Sequence, residues 1–230
     1  MGSCFGPPSR KLISFADFEL EAETGDVLLF AGTGLISRFI EYASLSKYSH
    51  AGTVIKNEKT KQVFVLESSI IDVSKDIYGD MKNGVRLIPA FNKFQDYINN
   101  YGPGFYWIKL RVPKDINPAN YKYERNINWV KENYYKPYEG HVDELAYAAW
   151  PIIPEGILAF TNGPKSSPTD SYFCSELSVD HLKFLEAANP DIKSTTVAPS
   201  AFDTMYPLVR GVPLLKPGYY FDPPISVGFM

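Results

Sequence analysis

An α+β fold, in which an antiparallel sheet packs against helices and a cysteine opens one of them, is predicted by three stretches of the chain. Val27-Leu28-Leu29-Phe30 is a short apolar run launched by the turn signal Gly25-Asp26, the pattern of a buried strand. The segments around His50 to Ile55 and Val63 to Glu67 are rich in β-branched residues and flank polar Asn57-Glu58-Lys59-Thr60, the pattern of a hairpin. In Ser171 to Leu177, Cys174 stands where an apolar-patterned helix begins.

In chain order, Ala31-Gly32-Thr33-Gly34 has neither the spacing nor the following Lys-Ser/Thr of a phosphate-binding loop, so it reads as a tight strand-to-helix turn. A helix follows from Leu35 to Ser44, with Leu35, Ile36, Phe39, Ile40 and Ala43 on one stripe. If Asn57 to Thr60 form the hairpin loop, Lys56 faces Lys61 and His50 lies directly across from Glu67. Their Cβ atoms would then be about 4.5–5.5 Å apart, whereas a slip by one residue would turn the two side chains to opposite faces. Residues 69–104 read as turn-rich surface, with a strand at Val85 to Ile88 and a loop at Tyr101 to Gly104. Phe105 to Val112 alternates as a strand that stops at Pro113, and Asn117-Pro118 opens a helix running to Tyr134. A further helix spans Val142 to Trp150. After Cys174 the apolar positions cover more than one helix face, which predicts a helix buried on several sides. Val197 to Phe202 starts a short helix, and the proline-bearing tail runs extended to Met230.

The 230 residues suit one well-buried domain, and an aromatic fraction of 15% excludes a disordered chain. A formal charge of -3 gives no basic footprint for nucleic acid. Two cysteines, at 4 and 174, cannot form a disulfide framework, and neither has metal-ligand spacing. No run approaches the roughly 18 apolar residues of a spanning helix, and the first 20 lack a secretory apolar core. The expectation is a cytoplasmic protein. Met1-Gly2-Ser3-Cys4 resembles an acylation signal, with Gly2 for myristate and Cys4 for palmitate, although Gly6 stands where Ser or Thr is usual. Two acyl chains would make peripheral membrane association stable.

Taken alone, Cys174 reads as a small hydrophobe. A helix start changes its chemistry, because outward amides and the helix dipole favour the thiolate. A thiol nucleophile also needs a base, and the base needs an orienting partner. Of the three histidines, His181 lies seven residues along the same helix, about 10 Å from Cys174 and out of bonding range. His141 falls in a loop or helix start with no assignable partner. His50, paired with Glu67 across the hairpin, is the best candidate for the base on geometry.

These residues also carry a family likeness. Gly25 to Phe30, Tyr48-Ser49-His50-Ala51-Gly52, Glu67, Lys136-Pro137-Tyr138, Tyr172-Phe173-Cys174-Ser175-Glu176-Leu177 and Val197-Ala198-Pro199-Ser200 resemble the circularly permuted papain-like hydrolases of the NlpC superfamily. In that branch, which includes YiiX-like proteins and lecithin-retinol acyltransferase relatives, the His-bearing strand precedes the Cys-bearing helix. The resemblance implies a permuted papain-like domain over 21–210, with an N-terminal segment 1–20 and a tail 211–230 packed on it. It implies Cys174 as nucleophile, His50 as general base and Glu67 as the residue that orients it. Tyr138 matches a tyrosine that lies near the oxyanion in unpermuted relatives. The implied activity is a cysteine hydrolase acting on an acyl, peptide or lipid substrate without a cofactor. Acyl transfer, cell-wall-type peptidase action and an inactive binding module of the same fold are the alternatives.

Overall fold

The computed structural model describes residues 11–31, 47–69, 74–102, 104–134, 136–137, 172–209 and 211–229. It is an α+β structure organised by one seven-stranded sheet. Strand β1 (Leu12–Ser14) leads into helix α1 (Phe15–Glu21), whose first turn is held by Ser14 Oγ accepting the Asp17 amide. Then come β2 (Val27–Phe30), β3 (His50–Lys56), β4 (Val63–Ser69), β5 (Gly84–Pro89), α2 (Ala90–Tyr101), β6 (Phe105–Ile108) and β7 (Leu110–Arg111). A 3-10 turn (Pro118–Tyr121) precedes α3 (Tyr123–Asn133), and α4 (Cys174–Phe184) follows. The chain ends with β8 (Leu208–Val209), β9 (Val212–Pro213), β10 (Tyr220–Phe221) and β11 (Ile225–Gly228).

The sheet order is β1-β11-β6-β2-β3-β4-β5, antiparallel except for the β1–β11 pair. The sheet thus takes in strands from both terminal segments. Its central strands read as continuous apolar runs because both of their faces are covered. On one face Leu28, Phe30, Val54, Val65 and Trp107 pack against Phe18 of α1 and Phe94 of α2. On the other, Val27, Leu29 and Ala51 pack against Val179, Leu182 and Leu185 at α4 together with Phe202 and Phe221. A third cluster joins Ile55, Leu66 and Leu87 to Val130 of α3 and Leu177 of α4.

Three expectations change. The stretch 69–104 is not mainly surface: α2 buries Ala90, Lys93, Phe94 and Tyr97 against the sheet. The single helix expected from Asn117 to Tyr134 is broken at Lys122, whose ψ of 137° is extended. There the Glu58 carboxylate accepts the Tyr123 amide at 3.2 Å and starts a new helix, a cap supplied from the distant hairpin loop. The hairpin register is also two residues longer, with Lys56 opposite Val63 rather than Lys61. Asn57 accepts the Lys61 amide on its carbonyl and the Lys59 and Thr60 amides on Oδ1, and its own amide bonds Gln62 O. Lys61 adopts φ +64°, and the loop consumes Asn57 to Gln62. The helices expected at 35–44 and 142–150 lie outside the described residues.

Candidate functional site

Helix α4 begins at Cys174, the residue the sequence placed at a helix start. Leu177 N–H bonds Phe173 O, and Glu176 Oε2 accepts the Phe173 amide at 3.3 Å, half of a capping box. The helix arrives where two strands part. The β3–β4 ladder spans Thr53 opposite Leu66 to Lys56 opposite Val63. Before Thr53, β3 pairs with β2, and after Leu66, β4 pairs with β5. At that opening Ser68 Oγ donates to the Tyr172 carbonyl at 2.8 Å, and the Ala51 amide is directed at the Cys174 sulfur.

His50 begins β3. Because the register moved by two residues rather than one, His50 and Glu67 remain on the same face, as diagonal rather than direct neighbours. Gly52, two residues along β3 from His50, lies beside Glu67 without a side chain, so the diagonal is clear. A Cβ at Gly52 would also meet Leu66 O and Val65 Cγ1, each at 3.0 Å. Across this gap His50 Nε2 and Glu67 Oε2 are 2.8 Å apart. Nδ1 is left as the ring nitrogen for Cys174, and the imidazole and the sulfur favour each other's charged forms. Phe30 packs on the imidazole with ring centroids 5.1 Å apart. Glu67 is fully buried, Cys174 is 6% exposed, and the His50 side chain retains 16%.

The electrostatics follow from this packing. Burial alone would neutralise His50, but the Cys174 sulfur and the Glu67 carboxylate, by charge and by hydrogen bond, together outweigh it and raise its pKa to about 9. Burial pushes the Cys174 thiol up. The facing imidazolium and the Ala51 and Ser175 amides overcome that and hold the thiol below its ordinary range. The pair therefore favours thiolate and imidazolium. The Glu67 carboxylate has a second partner that the sequence reading missed: Lys93 Nζ of α2, 2.7 Å from Oε1 and 4% exposed. A signal existed in Ala90, Phe94, Tyr97, Ile98 and Tyr101, apolar at helical spacing, with a lysine set inside the stripe.

The structure thus brings Cys174, His50 and Glu67 together and keeps His181 apart. His181 is fully buried between Thr53 Oγ1, 2.7 Å from Nδ1, and Asn126 Oδ1, 2.8 Å from Nε2. Tyr138, His141, Gly2 and Cys4 lie outside the described residues. The segment leading to Tyr138 reaches the entrance of α4: Pro137 O accepts the Tyr172 amide at 3.0 Å, and Lys136 O accepts that of Val85. Gly84, at φ +106°, must stay a glycine there, since a Cβ would run into the Lys136 carbonyl. Among the described residues no group of three or more His, Cys, Asp or Glu is arranged to hold a metal ion, and no helix is long and apolar enough to cross a membrane.

No protein-family model matches the chain, and no curated protein matches it. Among solved structures it is similar to the metalloprotein yiiX (DUF1105) of Escherichia coli O157:H7, with 18% identity and a TM-score of 0.42. The match covers 71% of this chain and 66% of that one, so the chain spans about two thirds of its neighbour's length. The likeness is coarse and transfers no residue roles.

Proposed function

We propose that the chain is a cysteine hydrolase of the permuted papain-like type that cleaves an amide, ester or thioester through a thioacyl intermediate. The observation that carries this reading is a helix-start cysteine facing a histidine whose Nε2 meets a buried carboxylate, with sulfur and imidazole favouring each other's charged forms. The order of the motifs, histidine strand before cysteine helix, also supports it.

In this mechanism the Cys174 thiolate attacks the substrate carbonyl, and the carbonyl electron pair moves onto oxygen. The Cys174 amide, at the first helical position where no intrahelical acceptor exists, donates to that oxyanion. The tetrahedral species collapses as the His50 imidazolium protonates the leaving amine, alcohol or thiol. His50, now neutral, takes a proton from water as the water attacks the thioacyl carbon. Collapse then expels Cys174 and releases the acid. Glu67 holds the imidazole with one nitrogen toward sulfur throughout.

The test is labelling by acyl-thioester, phospholipid and γ-glutamyl-peptide probes on wild type, Cys174→Ala and His50→Ala. One probe class is expected to label Cys174 in wild type, with the label lost in both variants. No label from any probe, combined with Cys174 alkylation by iodoacetamide at the rate and pH dependence of a free thiol, rejects the reading. Supplying lipid or amine acceptors to the labelled protein tells hydrolysis from acyl transfer.

A further inference from the structure

The buried lysine on α2 adds a fourth charge to the cluster. Glu67 offers one oxygen to each neighbour, Oε2 to His50 and Oε1 to Lys93. Lys93 extends along apolar rings, with Nζ 5.5 Å from the Phe30 centroid and 5.9 Å from that of Tyr97, and its head meets this carboxylate out of water. An ion taken that far from solvent is costly unless paired. Two sides of the sheet contribute: Lys93 reaches Glu67 from the α2 side, whereas Cys174 reaches His50 from the end of α4. Among the described residues Arg86 also lies opposite Glu67, on β5, and its guanidinium donates to the Ser74 carbonyl.

Burial of a carboxylate beside an imidazole leaves the shared proton two homes. Without a cation bonded to its far oxygen, a fully buried Glu67 relieves its desolvation by taking the proton, leaving a neutral pair that cannot stabilise a thiolate. A cation bonded to the far oxygen opposes that option, since protonating Glu67 would take from buried Lys93 the counter-charge it bonds.

We propose that Lys93 is a positioning residue of this site: bound to the far oxygen of Glu67, it keeps the carboxylate ionised and so keeps the proton on His50. Its bearing on catalysis rests on the hydrolase reading above, but its action on His50 does not. The cluster Cys174, His50, Glu67 and Lys93 then alternates negative, positive, negative, positive, and the thiolate–imidazolium pair gains from charges two residues removed from sulfur.

The measurement is the protonation of the His50 imidazole followed by 15N NMR in the full chain bearing Cys174→Ala, which removes the thiolate from the titration. Adding Lys93→Met is expected to lower the imidazolium midpoint by at least one pH unit, about tenfold in proton affinity. The sign is diagnostic. If Glu67 stayed ionised without its lysine, loss of a nearby positive charge would raise the midpoint, so a raised or unchanged midpoint overturns the proposal. In a Glu67→Gln background the same substitution should not lower the midpoint, since only the loss of a positive charge remains, and an equal fall there also overturns it. Lys93→Arg should keep the starting midpoint. Should Lys93→Met fail to fold, Lys93→Gln, which keeps a donor for Oε1 without the charge, takes its place. Cys174 alkylation in the protein with the thiol intact is read separately: free-thiol behaviour sinks the hydrolase reading, while the imidazole midpoints still decide for or against Lys93.

Discussion

His50 and His181 sit at opposite ends of one helix–strand contact, both withdrawn from water, and are driven in opposite directions. His50 starts β3 and meets the first residue of α4, while His181 lies within α4 and meets Thr53 of the same strand. Burial disfavours the charged form of each. At His181 nothing opposes it: the partners are neutral, the Arg125 charge adds to the effect, and the pKa falls to about 3. At His50 a thiol and a carboxylate reverse the sign. A buried histidine is therefore held charged or neutral according to the charge of what it touches rather than the depth at which it sits.

The contrast can be broken from either end. The largest effect expected is on acid stability. His181 is neutral when folded and its pKa is depressed, so its contribution is fully present above about 6.5 and is lost as pH falls toward 3. The shift corresponds to on the order of 4 kcal/mol over that window. Thermal unfolding of wild type and His181→Gln between pH 7 and 3.5 should show the gap between them closing and then reversing as the solution is acidified. A constant gap would mean that His181 does not titrate in that window. Asp26 acts in the opposite sense: burial raises its carboxyl to about 7 despite the Glu23, Leu110 and Trp107 donors. Its contribution is fully present below about 4 and fades as pH rises through 7. Because Asp26 is common to both proteins, the difference between them isolates His181.

Next in size is thiol reactivity. His50→Ala should slow iodoacetamide alkylation of Cys174 at pH 7 by at least about tenfold, because the thiol loses the imidazolium that holds its pKa down. His181→Gln should leave that rate within about threefold. Equal slowing by both would erase the distinction drawn between the two histidines. The wild-type rate should be flat through neutral pH, since the ion pair persists until His50 deprotonates near 9.

The smallest effect is Thr53→Val, which removes one of the two partners of His181 at nearly constant volume. A loss of about 1 kcal/mol in urea unfolding, with unchanged slope and unchanged alkylation, is expected. A change in alkylation would show that the two ends of α4 are coupled.

What could be read from the chain divides along the same line. Cys174, His50 and Glu67 were legible because each sat in a recognisable local pattern, a helix start and two hairpin strands. The pairing survived an error in loop length only because the error was even: two residues shift a neighbour along the face, whereas one would have turned it away. Lys93 was not legible as a site residue, because α2 begins at Pro89 without a side-chain cap and a lysine on a helix normally points to water. The break at Lys122 was hidden for a related reason, since the group that starts α3 is Glu58, far away in sequence. Local pattern reveals what local geometry creates, and these two features are created by tertiary contact.

Strand β11, placed between β1 and β6, has a consequence for how the protein is made. Strand β1 is complete at Ser14, yet the neighbour it pairs with begins at Ile225. At the ~5–20 residues per second of synthesis, the N-terminal strand waits roughly 10–40 s for its partner to be made. During that wait the edge of β6 that β11 will occupy, Tyr106 and Trp107, is open to other chains. The sheet therefore closes late in synthesis, when β11 joins β1 to the central strands.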